Sequence, residues 1–458
     1  MNEKRLPLLP ASEYGAFKRA WENYGADPTW RERFSSDPVK CLGDFPEISD
    51  VYAAFKAIGM LSRRPFTENA AHQRQGFSPY YDEYMRRYEK VRAYLEERFR
   101  EERFADKRLF RWNEIALRRA RVQHGELRNT PTLLYYPLMF ELSEGCSQQC
   151  PFCGLAAGRH VGDFLATPEH RQLWREILAA SREILGDIAG EAACYFATEP
   201  LDNPDYEVLL SEFAAVMGNY PQTTTALAAG EPERIRALMS MMGRERMGLA
   251  ALRFSARTLP EFRRIMELYS PEELADVEII PNNPESGSLY SLSGRLYKKN
   301  LPPGKRNKGY SISCVAGFRV NMARQAVAFM EPVLPSDESP TGVQIRAERN
   351  FAAAGDYRKI LREFIDRYAA DRLPEDLPLM LAPTVTAREE ERYVLFRGHG
   401  VSLRMGGNLY FRQAVRQLRE KPGTLGELYG RLGIGEVVGA DVRQKLQALY
   451  EKGYLALV

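Results

Sequence analysis

A chain of 458 residues, 44% of them hydrophobic, is long enough for two to four domains, each with its own apolar core. Its net charge of +3 is close to neutral at this size and gives no reason to expect a dominant polyanion partner. With six cysteines, no bilayer-long apolar run and no signal-peptide core after Met1-Asn-Glu-Lys-Arg5, the expected setting is the cytoplasm, without disulfides or membrane.

Residues 1–130 read as a helical region. Tyr14, Phe17, Trp21 and Tyr24 recur at three- and four-residue intervals, the mark of one buried stripe. Asp27-Pro28 predicts a helix start, and Ser36-Asp37-Pro38 predicts a break. The stretch from Asp27 to Leu42 faintly resembles nitrile-hydratase-like leader peptides, but a helical hairpin with Cys41 as a packed thiol is the plainer expectation. Tyr84, Tyr88, Val91, Leu95 and Phe99 give the next stretch an apolar face, and its many arginines predict a solvated opposite face.

From about Thr130 the pattern changes. Apolar runs near 133–142, 192–197, 223–228, 249–255 and 276–280 alternate with helical patterns near 168–186, 204–218, 231–242 and 259–269. Strands separated by helices predict parallel βαβ units, whose chemistry gathers at the C-terminal ends of the strands. The first run leads into Cys146-Ser-Gln-Gln-Cys150-Pro-Phe-Cys153. Three thiolates at this spacing can hold one corner of an iron–sulfur cube, and a cube that lacks a fourth thiolate keeps one iron open for a small molecule. The alternative is a zinc knot made by the same three cysteines and His160.

The cysteine spacing, with Phe152 before the last thiol, resembles the signature of the radical SAM superfamily. That resemblance implies a [4Fe-4S] cluster on Cys146, Cys150 and Cys153, S-adenosylmethionine (SAM) on the open iron, and an electron donor such as a flavodoxin or ferredoxin. It also implies an α/β fold, a partial (β/α)6 barrel over 131–310 completed by a hairpin and helix over 311–375. Phe196-Ala-Thr-Glu-Pro200 is similar to the family's Gly-Gly-Glu-Pro loop, with Ala197 and Thr198 in place of the glycines; Glu199 is the candidate for the SAM ammonium. Ser255 is the candidate for the ribose and Arg257 for the carboxylate, with Asn282 and Asn283 as weaker candidates.

Cys314 follows in a strand-like run interrupted at Gly317, with a second strand after it. Its Cys-x-x-Gly start is similar to auxiliary-cluster domains, but no cysteine occurs after it to supply further ligands. An unligated thiol can return hydrogen to a carbon radical, and this pairing makes the chain look like the radical SAM peptide epimerases of proteusin-type pathways, which install D-residues in ribosomal precursor peptides. The resemblance implies Cα–H abstraction from one face and hydrogen return from Cys314 on the other. Crosslinking or C-methylation of a peptide are the alternative reactions. Cys194, inside the second expected strand, reads as core.

After the prolines at 374 and 378, residues 385–458 read as short strands around Gly398-His399-Gly400, with His399 a turn residue, and then three helices near 411–419, 424–432 and 438–452. This pattern resembles the winged-helix peptide clamp called the RiPP recognition element, which implies a precursor leader bound as an added strand. The other winged-helix role is DNA binding, but acids offset the bases of the last helix. The non-enzymatic alternative for the whole chain is therefore a zinc-knotted adaptor for peptide or DNA.

Overall fold

The computed structural model describes residues 9–62, 78–124, 134–243, 252–301, 306–307 and 313–458. The chain opens with helices α1 (Ala11–Ala26), α2 (Pro28–Ser36), α3 (Pro38–Gly43) and α4 (Val51–Leu61). Asp27 and Asp37 each cap a helix whose first residue is proline, which is why both breaks fall where the sequence places them. Tyr14, Phe17, Trp30, Phe34 and Cys41 are buried together with Tyr80, at the start of α5 (Pro79–Arg98). Helix α6 (Lys107–Gln123) completes this region.

The central unit is mixed α/β. Strand β1 (Tyr136–Glu141) is followed by α7 (Pro168–Leu185), α8 (Tyr206–Met217), β2 (Thr223–Thr225), α9 (Pro232–Met242), β3 (Leu252–Ala256), α10 (Leu259–Leu268) and β4 (Glu278–Pro281). Strands β2, β3 and β4 form a parallel sheet. Strand β1 pairs in parallel with β5 (Val315–Asn321), which continues antiparallel through β6 (Ala326–Pro332) and β7 (Val343–Asn350). Helix α11 (Ala354–Tyr368) covers this sheet, its Tyr357 hydroxyl within 2.8 Å of Ser181 on α7.

Two expectations are corrected here. The stretch at 192–197 is not a regular strand: a 3-10 turn at Asp187–Glu191 precedes it, and a single bridge, Met139 to Ala193, links it to β1. Among the described residues the strands therefore form several small sheets and no closed barrel. Gly317, expected to interrupt its strand, lies inside β5 with φ +145, and a Cβ there would meet the Pro137 carbonyl oxygen at 2.2 Å. The β1–β5 register shifts beside it, between Tyr136 and Leu138, so the interruption falls in the ladder while the strand continues, and the glycine serves close strand approach.

Side-chain alternation divides the strands into two faces. Leu138, Phe140, Cys194, Leu252, Phe254 and Ala256 are buried against the helices, in the core that holds Trp174 and Phe213. The opposite face carries a second buried cluster, Met139, Ala193, Val315 and Met330, and beside it Tyr136, Tyr195, Thr224, Arg253, Ser255 and Cys314 are half-buried. This half-buried face is termed the trough. Helix α5 crosses the N-terminal ends of the strands: Arg87 pairs with Asp276 before β4 (2.5 Å), Tyr94 donates to Glu191 (3.0 Å), and Phe99 meets the Tyr136 ring edge-on at 5.3 Å. Helix α1 covers the side of β4, where Asn283 donates to the Ala26 carbonyl (3.0 Å) and Arg263 forks onto Asp27.

The C-terminal module contains β8 (Leu379–Leu381), a meander of β9 (Thr386–Glu389), β10 (Val394–Arg397) and β11 (Ser402–Met405), then α12 (Leu409–Glu420), α13 (Leu425–Leu432), α14 (Glu436–Glu451) and β12 (Leu455–Leu457), which pairs with β8. The sequence did not reveal β8, β9 or β12. His399 sits in the turn between β10 and β11, and its backbone N–H donates to the Val122 carbonyl (2.8 Å). Ile115 and Val122 of α6 enter the module's own core. Beside them Glu331 is buried between Arg119 and Arg346, and Arg346 also donates to the Leu457 carbonyl (2.9 Å). No helix among the described residues is long and apolar enough to cross a membrane.

Candidate functional site

The cysteine loop leaves the C-terminal end of β1. A two-residue ladder, Ser143–Glu144 against Gly162–Asp163, closes its base, and the Cys146 N–H donates to the Gly158 carbonyl (3.0 Å). Gly145 makes the turn at φ +78, where a Cβ would lie 2.0 Å from the Arg159 carbonyl oxygen. Inside the loop the Gln149 amide donates to the carbonyls of Cys146 and Gly158 (2.7 Å each). Arg295 donates to the carbonyls of Cys150 (2.6 Å) and Ala157 (2.5 Å), and Phe152 stacks on Tyr290 at 5.3 Å. The fold thus fixes this loop through its carbonyls and leaves all three thiols half-buried.

Burial pushes the Cys146 thiol up to about 11, with Glu199 and Asp202 adding to the shift. Burial also raises Cys150, opposed by the guanidinium of Arg257 beside it. Metal binding to such thiols releases their protons. Among the described residues no three His, Cys, Asp or Glu side chains converge on a single point. Three soft donors on one closed loop are the donor set a cluster takes, each thiolate on a different iron. His160, the fourth ligand of the zinc alternative, has its Nε2 3.0 Å from Asp163 Oδ1.

The second loop sits under the first. Glu199 is buried; its carboxylate accepts from Thr225 Oγ1 (2.6 Å), Ala226 N–H (2.8 Å) and Leu201 N–H (3.3 Å). Burial nevertheless pushes its carboxyl up to about 7. It caps the 3-10 turn Pro200–Asp202 and ties that turn to the end of β2. Thr198 is half-buried in the same turn. The turn is held from below by Glu141, a buried carboxylate that accepts from Ala197 N–H (3.0 Å) and Asn321 Nδ2 (3.1 Å). Sequence reasoning missed Glu141, although an acid inside the apolar run Leu138–Leu142 is a visible signal.

Ser255 and Asn282 meet at the strand ends, the Asn282 amide donating to Ser255 Oγ (2.8 Å). Arg257 pairs with Glu261 (2.5 Å) and directs a second N–H at the Gln148 carbonyl (3.4 Å), so it stands against the cysteine loop. Asn283 is buried against α1 and is withdrawn from the candidate ligands; its amide belongs to the packing of the N-terminal helices.

Cys314 lies beside the opposite end of β1. Its carbonyl accepts from Tyr136 N–H (2.7 Å), and with Tyr136, Tyr195, Phe196 and Val343 it packs against the buried cluster of Met139, Ala193, Val315 and Met330. Burial raises the thiol and keeps it protonated, opposed by Arg253. Cys194 is fully packed in the core and Cys41 in the N-terminal helices, as the sequence predicts.

No family model matches this sequence, and no solved structure matches the chain. The chain is similar to the uncharacterized protein y4wI of Sinorhizobium fredii (strain NBRC 101917 / NGR234), 31% identical over 307 residues. The match covers 65% of this chain and 59% of that protein, so the chain spans less than two thirds of its relative.

Proposed function

We propose that this chain is a radical SAM peptide epimerase that converts L- to D-residues in a ribosomally made precursor peptide. The observation that carries this reading is the placement of the thiols on the trough: three on a closed loop at one end of β1, and an unligated one beside the other end. β1 itself spans about 17 Å between these ends, the length of a nucleoside and one substrate residue. Inversion needs hydrogen removed from one face of Cα and returned to the other, and groups at opposite ends of a trough meet that need.

When bound, the cluster and SAM supply the hydrogen-abstracting 5′-deoxyadenosyl radical. Cys146, Cys150 and Cys153 would hold the cluster, and Arg257 stands where it neutralises charge beside Cys150. Glu199, Thr198, Ser255 and Phe152 line the same end and would orient SAM. Cys314, kept as S–H by burial, returns a hydrogen atom to the substrate Cα. The C-terminal module would take the leader along β11, an outer strand of its meander; Leu409, Tyr410 and Val437 of that module are exposed apolar side chains. The bases of α14 are engaged by acids, Arg443 by Glu375 (2.8 Å) and Lys445 by Asp441, which favours peptide over DNA.

The test is anaerobic reaction with the precursor peptide in D2O. Solvent deuterium should appear at the inverted Cα, and Cys314→Ala should still release 5′-deoxyadenosine while losing inversion. Unchanged inversion in that variant refutes the donor assignment. Product mass separates the alternatives, since crosslinking loses two hydrogens and methylation gains a CH2 unit. Colourless protein carrying zinc would favour the adaptor.

A further inference from the structure

Arg253 stands on the trough face of β3, two residues nearer the α5-covered end than Ser255. Its Nε lies 2.8 Å from Glu278 Oε2 without a directed hydrogen bond, and its Nη1 reaches Gln222 Oε1 only at 3.5 Å. Gln222 shares that oxygen with the Tyr195 hydroxyl (3.1 Å), which in turn accepts from Thr224 (2.7 Å). A guanidinium carries five N–H donors, and buried donors in proteins are nearly always met. Among the described residues, Glu278, Gln222 and the Tyr195 hydroxyl are the partners of this guanidinium and do not use all five donors, and both Arg253 and Cys314 are half-buried on this face.

We propose that Arg253 binds the backbone carbonyl of the peptide residue whose Cα faces Cys314. This rests on the peptide-modifying reading of the trough and adds a substrate-binding residue to it. The carbonyl carbon is one bond from Cα, so a planar donor fork on the carbonyl fixes which face of Cα meets the thiol. The ion pair with Glu278 holds the fork's other edge.

The test uses the full-length chain with no SAM or peptide. Iodoacetamide carries an amide carbonyl one bond from the carbon that the Cys314 thiolate attacks, forming S–C and expelling iodide. Methyl methanethiosulfonate has no carbonyl; the same thiolate forms S–S and expels methanesulfinate. Both rates are read on the tryptic peptide of Cys314, and their ratio cancels any change in thiolate fraction. In Arg253→Met the iodoacetamide-to-thiosulfonate ratio should fall at least about ten-fold, the effect of losing one charged hydrogen bond. In Arg253→Lys, which keeps the charge and loses the fork, it should fall by less. An unchanged ratio overturns the proposal. Labelling of the buried Cys41 or Cys194 would reveal an unfolded variant, in which case the Arg253→Lys ratio decides. Failure of SAM cleavage would sink the epimerase reading and leave this result standing.

Discussion

Glu199 meets two demands that pull against each other. Three donors favour its ionised form, while burial at the strand ends favours the neutral one, and burial prevails, raising it to about 7. A carboxyl whose folded value lies above its unfolded one binds more protons when folded, so its contribution to stability is present at low pH and is lost as pH rises from about 4.5 to about 7. Glu199→Gln should therefore gain relative to the parent between pH 5 and pH 8, by up to about 3 kcal/mol, in paired urea melts. An equal offset at both pH values would contradict the raised carboxyl. The neighbouring Glu141 is under a different demand: it accepts from both the 197 turn and β5, and Glu141→Ala should loosen the turn under Glu199. Faster amide exchange at Ala197 is the readout expected.

At the scale of elements, the β1–β5 pair is the seam that brings Cys314 to the trough. Gly317 permits it: the Pro137 backbone occupies the space a side chain would take, at a φ that L-residues rarely adopt. Gly317→Ala should cost about 3 kcal/mol or more in thermal or denaturant unfolding, because neither the backbone angle nor the contact can relax cheaply. A loss below 1 kcal/mol would mean the strands are not this close. Helix α5 works at the same scale. Arg87 and Phe99 reach the beginnings of β4 and β1, and Tyr94 the 3-10 turn at Glu191, so one helix closes the lower end of the trough.

Over the whole molecule, the C-terminal module and the central unit share one buried charge cluster. Burial works against the ionised Glu331 carboxyl, yet Arg119 and Arg346 hold it below the usual carboxylate range. The cluster joins α6, β6, β7 and, through the Leu457 carbonyl, the chain's last strand. Glu331→Ala leaves two buried guanidiniums unmatched and should cost about 3–5 kcal/mol, with the two units melting apart in calorimetry. A single unchanged transition would show that the apolar contacts of Ile115 and Val122 suffice.

The local structure was legible in the residue order alone. The proline-led helix starts at Asp27 and Asp37 and the four helices that alternate with strands depend on neighbours a few positions apart, and such short-range rules need no tertiary contact. What only the folded chain decided involves partners far apart in sequence. Arg295 gripping the cysteine loop, Glu199 turned onto β2, Asn283 drawn away to α1 and the weak second strand are of that kind. A side chain's partner there is set by which strands pack side by side, and no periodicity in the residues between them records that choice.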